Sequence, residues 1–169
     1  MKLYTKISLL ATGCFVAWGI ALEILDPPPV PSAPAGVTPT TFADLGCFDL
    51  SGGFSGRRPG EVLKRLPRSI LGLDARKVLI QGFMIPTGLS GGRQVQAFLL
   101  ARSQANCCFG MPLGLYDVVE VRMSGRPTGV MMDRVLTVVG CLHVRERWQG
   151  DVLGSIYQLD AETVEPAGP

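Results

Sequence analysis

Alternation of apolar and polar residues dominates the second half of the chain, and it predicts strands. Over residues 134–144, Leu136, Val138, Gly140, Leu142 and Val144 share one face. Val135, Thr137, Val139, Cys141, His143 and Arg145 share the other. Side chains alternate sides along a strand, so the first set is assigned to the core and the second to the outside. Residues 116–123 repeat the period, with Val119 and Val121 opposite in phase to Val118, Glu120 and Arg122. In residues 94–101, Gln94 and Gln96 alternate with Val95, Ala97 and Leu99. Residues 77–85 are mostly apolar and β-branched, contain Gly82 and stop at Pro86. A glycine inside a strand marks a bulge or sharp bend. Residues 155–159, with Ile156 and Tyr157, make a fifth strand. Gly-rich or polar connections at 87–93, 124–128 and 150–154 read as turns. Five strands with a long approach to the third predict a mainly β domain, a small OB-like barrel, over residues 77–160. A β-sandwich fragment is the competing fold.

The first half follows a different pattern. Lys2 and Lys6 precede an apolar run from Ile7 to Leu22, extended by Ile24 and Leu25 around Glu23. That run lies between the core of a signal peptide and a short membrane span. Lysines before it and Glu23 and Asp26 after it orient the remainder of the chain outside the cytoplasm. Residues 1–25 are therefore read as a membrane anchor. Gly19-Ile20-Ala21 offers a cleavage alternative, and Ala11-Thr12-Gly13-Cys14 a weak lipoprotein alternative. Residues 26–40 are dense in proline and small residues and read as a semi-rigid tether. Residues 41–76 form a lead-in. Phe42, Leu45 and Phe48 fall on one side of a short amphipathic segment, and a brief helix over 59–66 presents Val62, Leu63 and Leu66. Asp74-Ala75-Arg76 turns into the first strong strand. The Ala-, Glu-, Pro- and Gly-rich residues 161–169 are expected to fray as a disordered tail.

Composition narrows the function classes. A net charge of +2 and few aromatic residues give no basic groove or stacking platform for nucleic acid. Gly and Pro number 21 and 13 in 169 residues, which suits a loop-rich β domain with one modest core. The chain has one histidine, no Ser-His-Asp set with supporting context and no paired carboxylates, so a binding role is expected rather than an enzymatic one. Ser90-Gly91-Gly92-Arg93 precedes a strand and is too short for a phosphate loop.

Chemistry centres on the cysteines. Beyond Cys14 the chain carries Cys47, Cys107, Cys108 and Cys141. Outside the cytoplasm such thiols pair, bind metal or stay protected. A structural role, as a disulfide from Cys107 or Cys108 to Cys141 or Cys47 or as buried thiols, is the first expectation. Alternatively, Cys107, Cys108, Cys141 and His143 could meet as three thiolates and an imidazole, a set suited to zinc or, with Met84 or Met111, to cuprous copper. A vicinal Cys107–Cys108 redox pair is a further alternative. His143 by itself reads as a satisfied surface or half-buried histidine.

Gln81-Gly82-Phe83-Met84-Ile85-Pro86, Phe98-Leu99-Leu100 and Cys107-Cys108-Phe109-Gly110 with Pro112 together resemble the bacterial "domain of unknown function 3299" family. Val139-Gly140-Cys141-Leu142 and Tyr157-Gln158-Leu159 are similar to its closing strands, and the match covers about residues 66–162. The resemblance implies an exported or lipid-anchored envelope protein with a β-rich domain, associated with ABC-type export or metal-related systems. The expected partners are the membrane, through residues 1–25, and an envelope protein. The expected location is the bacterial cell envelope, inner-membrane anchored with the C-terminal domain outside.

Overall fold

The computed structural model describes residues 33–48, 59–87, 93–104 and 114–168. Within them lie eight strands and three short helices. β1 is Thr38–Pro39, α1 Phe42–Leu45, α2 Glu61–Arg65 and α3 Arg68–Leu71. β2 is Arg76–Pro86, β3 Gln94–Val95, β4 Ala97–Ala101, β5 Val118–Met123, β6 Thr128–Gly129, β7 Leu136–Gln149 and β8 Val152–Pro166. The sequence called for five strands. Five long ones carry the fold, and β1, β3 and β6 are two-residue additions.

The main sheet closes on itself. β2 pairs antiparallel with β4 from Phe83↔Ala101 to Pro86↔Phe98, and with β7 from Arg76↔Leu142 to Gly82↔Leu136. β4 pairs antiparallel with β5, β5 runs parallel to β8, and β8 returns antiparallel to β7. The order β2-β4-β5-β8-β7 therefore comes back to β2 as a ring. A sandwich fragment would leave β2 and β7 in separate sheets, whereas here they share a ladder. β1 adds a parallel step against β2 at Val78 and Leu79, and β3 pairs with β6 in a separate two-stranded sheet.

Gly82 stands where β2 passes from its β7 partner to its β4 partner, as a bend inside the strand requires. A Cβ at this position would lie 2.7 Å from the Ala101 carbonyl oxygen and 3.0 Å from the Phe42 ring, so only glycine lets β4 and α1 approach this closely.

The alternation read along β7 holds. Leu136, Val138, Leu142 and Val144 are buried, and Thr137, Val139, Cys141 and His143 are half-buried on the opposite face. The phase read along residues 94–101 does not hold beyond Val95. Phe98 and Leu100 enter the core, while Ala97 is exposed. Gln96 breaks the strand between β3 and β4: its carbonyl accepts from Met123 N at 2.9 Å, and its side-chain amide donates to the Met123 carbonyl at 2.6 Å. One residue held out of the ladder moves every later side chain to the other face.

Two further expectations are corrected. Residues 161–166 do not fray; they are the end of β8, paired with β7 from Gly140↔Ala161 to Leu136↔Pro166. Composition favoured a tail, but buried Ala161 and partly buried Val164 give the segment a face to pack. The turn expected over 150–154 is tighter, with Val152–Gly154 already in β8.

The lead-in closes one end of the ring. Thr41 and Asp44 exchange hydrogen bonds in a capping box that starts α1. Phe42 and Leu45 are buried, as their spacing predicted. Tyr157, fully buried, donates its hydroxyl to the Leu45 carbonyl at 2.7 Å and so ties α1 to β8. Burial, joined by the charge that the neighbouring Cys47 would carry, pushes the Tyr157 phenol well above the ordinary tyrosine range.

α2 is started by a distant side chain. Its N-cap, Gly60, has nothing with which to cap. Glu146 of β7 supplies the acceptor: one carboxylate oxygen receives Gly60 N at 2.6 Å and the Trp148 indole at 3.0 Å. The other oxygen receives Val62 N at 2.8 Å and Leu63 N at 3.2 Å. Partial burial alone would raise the Glu146 pKa. These four donors outweigh it and hold the carboxyl below its ordinary value.

Among the described residues no helix is long and apolar enough to cross a membrane. The anchor read at residues 1–25 and residues 26–32 of the tether lie outside the described residues, while the end of the tether is not a free spacer, since its Thr38–Pro39 pair with β2 and Thr40 is buried.

Candidate functional site

Beyond the ring, β7 and β8 continue as a two-stranded arm. β7 pairs with β2 only to Leu142, and β8 with β5 only from Gln158. Arg147↔Ser155, Trp148↔Leu153 and Gln149↔Val152 pair within the arm itself. Register shifts between Val144 and Trp148 bend it. One side of the arm carries Glu146 against α2. The other side overhangs the outer surface of β4, β5 and β8.

Between that overhang and the ring lies a groove of about 650 Å³. Leu99 and Val118 supply apolar floor, and Glu120, Arg122, His143, Arg145, Arg147, Ser155, Gln158 and Asp160 supply polar lining. Apart from the buried Ser155, these are the outward positions of the period-two pattern, which is why one wall is so polar while the residues alternating with them fill the core. Two interlocked polar sets organise it. Ser155, almost fully buried, donates to Glu120 at 2.7 Å, and the Arg147 Nε lies 3.3 Å from the second Glu120 oxygen. His143 Nε2 lies 3.2 Å from Asp160 Oδ2, and His143 Nδ1 lies 3.3 Å from Arg145 Nη2. A guanidinium can only donate, so Nδ1 accepts and Nε2–H donates to Asp160. Asp74 stands 4.0 Å from the same Nδ1 while accepting from Val144 N at 2.9 Å. Gln158 donates to the Arg145 carbonyl and to Ser155, linking the two sets.

The metal-ligand set expected from sequence is brought together only in part. Cys141 and His143 share the outer face of β7, as their spacing implied, and Cys141 pairs in register with Asp160. His143 already has both ring nitrogens engaged. Among the described residues no group of three or more His, Cys, Asp and Glu side chains is placed to hold a metal ion. Cys107, Cys108 and Met111 lie outside the described residues. Among the described residues Cys47 and Cys141 are free thiols, and the Cys107 and Cys108 with which a disulfide was expected lie outside those residues. Cys47 is exposed two residues beyond the end of α1, next to Phe48, whose ring meets Tyr116 edge-on at 6.3 Å.

Sequence reasoning singled out His143 but missed its companions. Glu120, Arg122, Arg145 and Arg147 were legible as outward strand positions. Nothing local signalled that β5 and the arm would face one another.

No family model matches the chain, and no curated protein is significantly similar to it. Among solved structures, the fold is similar to that of a DUF3299 family protein from Pseudomonas aeruginosa PAO1. The TM-score is 0.54 at 19% identity, and the superposition covers 82% of this chain and 99% of that chain. At that identity the likeness is one of fold. It falls on a member of the same family that the motifs along β2, β4 and β7 resemble.

Proposed function

From that shared fold we propose that the chain is an extracytoplasmic, membrane-tethered binding domain, an OB-like barrel that engages an envelope protein partner through the groove of the β7–β8 arm. The groove is the observation that carries this reading. OB-like barrels take ligands on one outer sheet face between the first hairpin loop and the last. Here the groove runs from Thr87, at the mouth of the first hairpin, to Gln149 and Gly154, in the last. Its volume lies in the range of specific ligand sites, which is about 300–1,000 Å³. A binding role suits the polar sets better than a catalytic one, because the imidazole is held between a carboxylate and a guanidinium.

Site-specific photo-crosslinking in intact cells tests the reading. A crosslinker replacing Gln158, in the groove, is expected to give a discrete protein adduct. One replacing Glu165, exposed on β8 away from the groove, is expected to give none. Adducts from both positions alike, or from neither, overturn it.

A further inference from the structure

The polar lining of the groove is not charge-balanced, and the imbalance specifies a partner. Arg147 is matched by Glu120, whereas Asp160 accepts the Nε2–H of His143, a neutral donor that leaves its charge uncompensated, so three arginines face two carboxylates in the lining. Arg122 and Arg145 have no carboxylate within ion-pair distance among the described residues. Arg145 has only the His143 ring nitrogen, which fixes one edge of the guanidinium and leaves its other donors available.

The two arginines are far apart. Arg122 of β5 stands opposite Asp160 of β8, which stands opposite Cys141 of β7, and Arg145 is four residues farther along β7. Two strand spacings and four residue rises separate their Cα atoms by about 16 Å. An extended chain covers that Cα separation in about five residues. Among the described residues the groove lining includes no exposed aromatic ring on which a base or sugar could stack, which disfavours nucleic acid and saccharide.

We propose that the groove binds an extended, acidic peptide segment of the partner protein, with one carboxylate received by Arg122 and another, about five residues away, by Arg145. The inference rests on the groove being the binding site. Arginine suits the task because its planar fork meets a carboxylate through two parallel hydrogen bonds. Between the two anchors, Glu120, Arg147 and Ser155 satisfy one another and His143 donates to Asp160, so the peptide places its charges on the two arginines and away from the Asp160 carboxylate.

The test is a fluorescence-anisotropy titration of the full-length chain in detergent with two labelled peptides. In one, two glutamates are separated by four Gly/Ser residues; in the other, the glutamates are replaced by glutamines. Succinate is the competitor. Binding of the glutamate peptide is expected to weaken about tenfold in Arg122→Gln and again in Arg145→Gln, each loss being one charge-assisted contact. Arg134→Gln, exposed outside the groove, is expected to bind like the parent. Equal binding of both peptides, affinity unchanged in Arg122→Gln and Arg145→Gln, or full competition by millimolar succinate overturns the proposal. The photo-crosslinking above separates the two levels. A Gln158 adduct together with no glutamate-peptide binding sinks the acidic segment and leaves the groove standing; loss of both sinks the groove as well.

Discussion

Replacing Glu146 by glutamine probes a contact that joins residues 83–86 positions apart in the chain. The carboxylate takes three backbone donors at the start of α2 and the Trp148 indole. Glutamine keeps one acceptor oxygen and turns an amide NH₂ toward donors that the second oxygen had received. Loss of a helix cap costs about 0.5–2 kcal/mol, and a hydrogen bond to a charged group is worth about 1.5–3 kcal/mol. Partial exposure of Glu146 brings the expectation to about 2 kcal/mol. For a chain of this size that lowers the melting temperature by about 8 °C. The pH dependence gives the sharper check. Because the folded pKa lies below the ordinary value of 4.5, the carboxylate contributes its full stability above that value. The contribution is lost as pH falls through the lower, folded value. Chemical denaturation of parent and Glu146→Gln, run from pH 7 to pH 3, should show a gap that is constant at the upper end and shrinks at the lower. A gap under 0.5 kcal/mol at pH 7, or one that does not shrink in acid, refutes the capping argument.

Three further outcomes are expected. Gly140→Ala should destabilise by about 3 kcal/mol or more in urea titration, because the new Cβ would run into the Asp160 carbonyl and the Ala161 backbone at the bulge; a loss under 1 kcal/mol would show the bulge to be soft. Tyr157→Phe should cost about 1 kcal/mol by stranding the Leu45 carbonyl. In the parent, a tyrosinate absorbance titration should show this phenol resisting ionisation past pH 10, and early ionisation would contradict its burial. In a variant lacking Cys14, Cys107 and Cys108, native thiol labelling should modify exposed Cys47 faster than half-buried Cys141; equal rates would contradict the assigned exposures.

Wherever a strand obeys one uninterrupted period, its placement was legible in the sequence. β7 is the clearest case, since five core positions in phase leave one way to bury it. Gly82 was legible for a different reason: a glycine in an apolar β-branched run has little to recommend it except close approach. The phase of β4 was hidden because Gln96 looks like an ordinary outward residue. Its role as the break depends on Met123, which lies 27 positions away. The last residues of β8 were misread because composition reports what a segment can do alone, while a partner strand decides what it does. The candidate site divides the same way. Cys141 and His143 were correctly placed on one outer face, but the partners of His143 come from β8 and from its own strand. The groove exists only once the arm bends over β5.

Closure of the ring also sets an order of assembly. As the chain is synthesised, β2, β4 and β5 emerge first and can form an antiparallel meander. Its free borders are the side of β2 reserved for β7 and the side of β5 reserved for β8. β7 can cover the first once it is made, but the second stays open until the final strand arrives, because β8 fills the gap between β5 and β7. Contacts so distant along the chain form slowly, and exposed strand borders recruit foreign strands in the meantime. A chain cut at Arg134 would keep both borders permanently open and should collect as aggregate, whereas a chain carried through β7 and β8 should escape that fate. The vulnerable interval belongs to the nascent protein, and it ends when β8 arrives.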